Sequence, residues 1–237
     1  MDTWWKSTTK EALGLVFLIT CVALPGNAVV VASNLGPGNA FSNNGILIEN
    51  FLTNGEVTGF ATSFVPSITA TLQDVVLPLS TDVGGSLTVA ITSDAAGQPG
   101  SVLALLTQNG TVPLVFSGGA KLLTFTCGNC LLLQANTRYW ISAVVTNLNT
   151  DVTWNFSPSA LGGAFFSNGS GNVGAVVGPW STAGSTFPTP AFLVDGVGPA
   201  SAPALSDVAL GFVAISLAVI GAWILRREGA PNRELSN

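Results

Sequence analysis

Residues 138–156 read Arg-Tyr-Trp-Ile-Ser-Ala-Val-Val-Thr-Asn-Leu-Asn-Thr-Asp-Val-Thr-Trp-Asn-Phe, and their period decides the fold. Tyr139, Ile141, Ala143 and Val145 alternate with Trp140, Ser142 and Val144; after a polar break, Val152, Trp154 and Phe156 alternate with Thr153 and Asn155. A two-residue period is the mark of a strand with one buried face, because successive side chains leave opposite sides of the backbone. Leu87, Val89 and Ile91 repeat the pattern against Thr88, Ala90 and Thr92. Between Val29 and Pro203 no apolar stripe recurs at helical spacing. Gly, Asn, Ser and Pro cluster at Asn43-Asn44-Gly45, Asp82-Val83-Gly84-Gly85, Gly97-Gln98-Pro99-Gly100 and Asn109-Gly110, where they supply turns.

The expectation is an all-β fold, a β-sandwich of jelly-roll-like or Ig-like form. Strands are predicted over residues 45–52, 59–64, 69–79, 86–93, 102–106, 112–116, 121–126, 138–147, 152–156 and 191–194. Residues 160–190 read as loops or irregular edge strands, with Phe165, Phe166, Trp180 and Phe187 too apolar to leave in water. Trp154, in phase with Val152 and Phe156, is predicted to be core, whereas Trp140 lies on the opposite side from Tyr139 and is read as a residue that faces out.

Outward from this middle, the two ends read differently. Residues 1–28 form a secretory signal by pattern: Lys6 and Lys10, an apolar core from Ala12 to Leu24, and Gly26-Asn27-Ala28 ending in small residues, with cleavage predicted after Ala28. An uncleaved anchor or a buried helix is the plainer alternative. Leu18-Ile19-Thr20-Cys21 has the outline of a lipoprotein site, but Thr20 is a poor fit there. The β domain is predicted over 29–197, and a small, uncharged tether with its motif over 198–207. Val208 to Leu225 then runs without charge, Asn, Gln or Pro, followed by Arg226 and Arg227. At ~1.5 Å per residue such a run reaches about 27 Å, close to the ~30 Å of a hydrocarbon core. A transmembrane helix over 208–225 is therefore predicted, with a basic cytoplasmic tail over 226–237 and everything before it extracytoplasmic, at the cell envelope membrane or, after processing, secreted or at the cell surface.

Composition narrows the function. Of 237 residues 8% are charged, the net charge is −5, and from Val29 to Asp207 the cations are Lys121 and Arg138 against eight carboxylates. Nucleic acid and anionic lipid surfaces, which need clustered Lys and Arg, are poor partners for such a chain. No histidine is present, which removes the commonest general base and metal ligand. Neither a cofactor nor a metal is expected. An enzyme would have to work through carboxylates, and Glu49, Glu56, Asp74, Asp82, Asp94, Asp151 and Asp195 are scattered singly in the sequence.

Two groups of residues invite chemistry. Cys127-Gly-Asn-Cys130 has redox-pair spacing but lies between strand-like runs, and an exported location favours a structural disulfide between Cys127 and Cys130. Free thiols and redox or metal work are the alternatives. Trp180, after Gly178-Pro179, and Trp140 are candidate glycan contacts, since flat aromatic faces suit sugar stacking. Asp94, with Gly97 nearby, reads as a surface turn rather than a calcium loop, which would need repeated acidic spacing.

Ser33-Asn34-Leu35-Gly36, Phe64-Val65-Pro66, the Leu87–Ile91 strand running into Ser93-Asp94, Gly97-Gln98-Pro99-Gly100, and Asn136-Thr137-Arg138-Tyr139-Trp140 with Trp154 together carry a resemblance. The middle of the chain resembles bacterial choice-of-anchor surface domains, most nearly the R type. The resemblance implies a secreted β-sandwich that occurs with alternative C-terminal anchors, and it carries over no catalytic residues. Ala202-Pro203-Ala204-Leu205-Ser206-Asp207-Val208 resembles the Ile-Pro-Thr-Leu variant of the Pro-Glu-Pro type of bacterial sorting signal, with Pro203, Leu205, Ser206 and Asp207 in register. Ile, Thr and Trp of that variant are not kept. An envelope sorting peptidase is the partner this implies. The function expected from these readings is a non-catalytic surface or extracellular-matrix β-sandwich protein held in the membrane; the alternative is a carbohydrate-binding module facing exopolysaccharide.

Overall fold

The computed structural model describes residues 28–51, 56–115, 119–127, 131–145, 147, 150–162, 164–170, 179–198, 215, 217–219 and 222. The alternating stretches all form strands. In chain order these are β1 (Ala28–Ser33), β2 (Gly45–Phe51), β3 (Glu56–Phe64), β4 (Ala70–Ser80), β5 (Leu87–Ala95), β6 (Gln98–Asn109), β7 (Lys121–Cys127) and β8 (Leu132–Leu133). They continue as β9 (Tyr139–Val145), β10 (Thr150–Leu161), β11 (Ala164–Ser170), β12 (Trp180–Thr182), β13 (Pro188–Pro190) and β14 (Leu193–Val197).

Every named strand pair is antiparallel, and the ladder runs β1-β14-β4-β7-β6-β5-β9-β3-β2-β10-β13. A further pairing of Thr153 with Ser80 and Trp154 with Leu79 joins β10 back to β4, so the sheet curls into a circuit from β4 through β7, β6, β5, β9, β3, β2 and β10. Two long strands make the curl by changing partners. β4 pairs with β14 through Val76 and with β10 from Leu79, and Pro78 sits at the change. A proline lacks a ladder donor and is poorly placed inside a sheet. Here it falls at the gap between two partners. β6 likewise pairs with β5 up to Leu106 and with β7 from Leu106 to Asn109.

One face of this curl holds the core. Ile48, Leu72, Val75, Leu77, Leu79, Val89, Ile91, Phe125, Leu133, Ile141, Val152, Trp154 and Val194 are buried together. Trp154 is 0% exposed and its indole N–H donates to the Ala191 carbonyl at 2.7 Å, so the predicted core position holds and its polar edge is satisfied. Tight turns join several strands. The β5–β6 hairpin has a two-residue loop, Ala96 (φ 53) and Gly97 (φ 85), because Ala95 pairs with Gln98. Positive φ at both loop residues matches the twist of the flanking strands, although alanine is an unusual choice there.

Several predicted boundaries move. Gln98, Pro99 and Gly100 belong to β6, so the turn lies one step earlier than the Gly-Gln-Pro-Gly cluster suggests. No strand forms among the described residues of 112–116, where Leu114 forms an isolated bridge with Thr81. β1 is a strand that the sequence pattern did not indicate, and β8 falls in the strand-like run after Cys130; within 160–190, where the expectation is loops or irregular edge strands, β11, β12 and β13 form, β12 pairing with β11 and β13 with β10. At the C-terminal end, Ile215, Leu217, Ala218, Val219 and Ala222 are helical, while among the described residues no helix is long and apolar enough to cross a membrane. The predicted signal before Ala28, the motif residues Pro203, Leu205, Ser206 and Asp207, and most of the 208–225 run lie outside the described residues.

Candidate functional site

β9 carries Tyr139 and Trp140 on opposite faces, as alternation requires, yet all seven of its residues are buried. Trp140 is 1% exposed and its Nε1 donates to Asp94 Oδ1 at 2.9 Å, so the expectation that it faces out as a glycan contact is corrected. The cause is position in the sheet: β9 lies between β5 and β3, and small residues on its second face, Ala90, Ser142 and Ala61, are themselves buried. Trp180 is half-buried and packs against Ala90 and Val144, with its Cη2 3.8 Å from where a Cβ on Gly59 would stand. Trp140 and Trp180 therefore do not make a shared aromatic platform.

Asp94 stands in β5, two residues before the hairpin loop. Its Oδ2 accepts from the Gly97 N–H at 3.1 Å, its Oδ1 from Trp140, and Arg138 stands 4.0 Å away. One carboxylate thus fixes the hairpin loop to the buried indole; Asp94 flanks the turn from within β5 instead of lying in it. Cys127 is buried at the end of β7, and Cys130 lies outside the described residues.

The structure brings together carboxylates that the sequence left single. Asp74 of β4 is the register partner of Asp195 of β14, and Glu49 of β2 that of Asp151 of β10. Side chains directly opposite on adjacent strands stand with Cβ atoms about 4.5–5.5 Å apart. Burial pushes the Asp74 carboxyl above its ordinary range; burial, and then the Asp74 charge, do the same to Asp195. Asp151 is held differently: Thr81 Oγ1 lies 3.0 Å from its Oδ1 and the Asp82 N–H donates to that oxygen at 3.3 Å. No signal in the sequence could have paired these residues, since the partners are 121 and 102 positions apart by subtraction of their numbers. Both pairs are set on strand faces.

A concavity among the described residues lies elsewhere. A cleft of about 540 Å3 is lined by Ser42, Asn44, Phe156, Ser157, Ser159 and Leu161 with their neighbours Pro158, Ala160 and Pro188. None of these residues is charged. The floor is built by β10 after it leaves β2: the Phe156 N–H donates to the Asn44 carbonyl and the Ser42 N–H to the Phe156 carbonyl. Phe187 stands edge-on to Phe156 at 5.5 Å between ring centroids. Ser157 Oγ donates to the Asn34 carbonyl at 2.6 Å, and Asn34 in turn accepts from the Phe192 N–H and donates to the Pro190 carbonyl. The Asn34 side chain thus ties the exit of β1 to the segment beside the cleft. Its position in the sequence gave no hint of this, because every partner is more than a hundred residues away. Chemically, an aromatic ring with hydroxyls and an amide around an uncharged hollow suits a neutral polar ligand. Neither Asp74 nor Asp195 lines it, so the carboxylate pair and the cleft do not combine into a hydrolytic site.

Compared with known proteins, the sequence matches no protein-family model and none of the curated proteins.

Proposed function

We propose that this chain is an exported bacterial surface or extracellular-matrix protein without catalytic activity, a flattened β-sandwich held at the cell envelope by its C-terminal apolar run. The observation that carries the reading is the position of the domain ends. β1 and β14 are hydrogen-bonded neighbours, and Val29 is the register partner of Gly196. A leader that ends at Ala28 and a tether that follows Val197 would leave from one edge of the sheet. The remaining surface would then project from the membrane. The partner changes of β4 near Pro78 and of β6 at Leu106 are the corners expected where one curled sheet is flattened into two layers. The uninterrupted Val208–Leu225 run, the Arg226-Arg227 stop, and the resemblance to choice-of-anchor domains and sorting signals support the same reading. Reporter fusions test it: a reporter joined after Val197 is expected outside the cytoplasm when residues 1–28 are present, and a reporter retained inside would overturn it.

A second reading, binding of a neutral polysaccharide, is favoured by one observation, the uncharged cleft around Phe156. Binding to extracellular polysaccharide, followed by pull-down, is expected to fall with Phe156→Ala and to survive Trp140→Phe, since Trp140 is buried. Trp180→Ala tests the remaining aromatic named from the sequence. Binding unchanged by Phe156→Ala and Trp180→Ala alike would remove this reading.

A further inference from the structure

Asparagine followed by glycine is prone to rearrange without an enzyme, because no side chain on the glycine hinders the attack of its nitrogen on the asparagine amide carbon. The pair occurs at Asn44-Gly45, Asn54-Gly55, Asn109-Gly110 and Asn168-Gly169. The fold treats these pairs differently. Gly45 opens β2 opposite Asn155, and a Cβ on it would stand 2.6 Å from the Trp154 carbonyl oxygen. The carbonyl of the Asn44–Gly45 peptide accepts from the Phe156 N–H at 2.9 Å, so that peptide unit cannot turn towards the Asn44 side chain. Asn168 and Gly169 are both paired within β11, opposite Thr58 and Val57 of β3. Asn54 and Gly55 lie outside the described residues.

Asn109 is different. It is exposed at the last rung of the β6–β7 ladder, opposite Thr124, and Gly110 after it is exposed with φ 89°. Its side chain is loosely held: Thr126 Oγ1 stands 3.4 Å from Asn109 Oδ1 and divides its proton between that oxygen and the Thr107 carbonyl at 3.5 Å, both long for a hydrogen bond. Gln108 keeps the corner in shape, with Nε2 donating to the Gly110 carbonyl and Oε1 accepting from the Leu87 N–H, each at 2.9 Å.

We infer that Asn109 is a site of spontaneous deamidation in the folded protein, selected by the fold over Asn44 and Asn168. The Gly110 nitrogen gives up its proton to water or hydroxide and bonds to Asn109 Cγ; the Cγ–Nδ2 bond breaks and ammonia leaves, closing a cyclic imide. Water then opens the ring at either carbonyl. One opening gives aspartate and the other isoaspartate, in which the backbone runs through the former side chain. No electrons are exchanged, and water is the only co-reactant. The product carries a carboxylate where the chain had a neutral amide, making a net charge of −5 more negative. Isoaspartate also lengthens the backbone at the corner where β6 leaves β7. The inference goes beyond the proposed surface role and does not depend on the cleft or its ligand.

Peptide mass mapping of the full chain in detergent, incubated at mildly alkaline pH both folded and in denaturant, tests it. The mass gain that replaces NH2 by OH is expected at Asn109 in the folded protein at least about tenfold faster than at Asn44 or Asn168, with the difference lost in denaturant. Chromatography is expected to resolve both aspartate and isoaspartate forms of that peptide. Asn109→Gln, an exposed change checked by circular dichroism, is expected to remove the gain from its peptide and leave the other peptides as they were. An Asn109 that stays unconverted in the folded protein overturns the inference, and so do equal rates at Asn44 and Asn168, which would mean that reaction follows unfolding. Aspartate without isoaspartate would overturn the cyclic route.

Discussion

β9 and the first half of β6 are similar in composition and opposite in environment. Tyr-Trp-Ile-Ser-Ala-Val-Val is buried at every position, while Ser-Val-Leu-Ala-Leu, residues 101–105, presents three large apolar side chains to solvent. Their local propensities would not separate them. What does is the surroundings: β9 lies between β5 and β3 with packing on both faces, whereas the described partner of β6 before Leu106 is β5. Burial in a sheet is decided by topology as much as by hydrophobicity.

The contrast can be broken most forcefully in β9. Ile141→Ala is expected to cost about 2–5 kcal/mol, as a truncation in a closed core, whereas Leu103→Ala should stay within about 0.5 kcal/mol, both read by denaturant unfolding. Equal losses would mean that β6 is covered after all. Next in size is Gly59→Val, whose Cβ would stand 2.8 Å from Val144 Cγ1 and press on Trp180; a cost of about 1–3 kcal/mol is expected from overpacking. Asp94→Ala removes the acceptor of both the Trp140 and Gly97 N–H bonds and should cost a similar ~1–3 kcal/mol, with a shift in Trp fluorescence that a change confined to the loop would not give.

Smaller effects sharpen the comparison at its edges. Ala96→Asn puts a residue tolerant of positive φ into the β5–β6 loop and should stabilise by about 0.5–1 kcal/mol in thermal unfolding. Smallest is Asp195→Asn, expected to stabilise at neutral pH by roughly 0.2–1 kcal/mol, since it ends the opposition of two carboxylates. Because both groups have folded pKa values raised above the ordinary value of 3.8, the folded state holds protons that the unfolded chain has released. Stability from this pair is present below that value and is lost as pH rises through the raised folded values. Asp195→Asn should flatten that part of the pH profile. An unchanged slope would show that the two side chains do not meet. The groups facing the pair across the ladder are Val30, Thr126 and, beyond it, Thr107, none of which titrates in this range.

Most of the strand content was legible because alternation reports a face directly. Leu87–Ile91, Tyr139–Val145 and Val152–Phe156 needed no partner to be recognised. The failures have physical causes. Alternation sets Trp140 on the side opposite Tyr139, but it tells which side a residue takes and not whether that side is covered. β1 was hidden by Ala-Val-Val-Val-Ala, a continuous apolar run that merges with the predicted leader. β12 and β13, three residues each, are too short to show a period, though they fall in the segment read as loops or irregular edge strands. The carboxylate pairs and the cleft were invisible because they join distant segments: Ser42 meets Phe156 only once β10 has crossed beside β2.

The proposed function requires a domain exported to the envelope and held there from the edge where β1 and β14 meet. Intact mass of the native protein, measured after separating cytoplasm, membrane and medium, tests this most directly. The expected species lacks residues 1–28 and is found in the membrane fraction with Val208 to Asn237 retained, or in the medium after cleavage near Ser206. A cytoplasmic protein with the full mass of 24.1 kDa would contradict it.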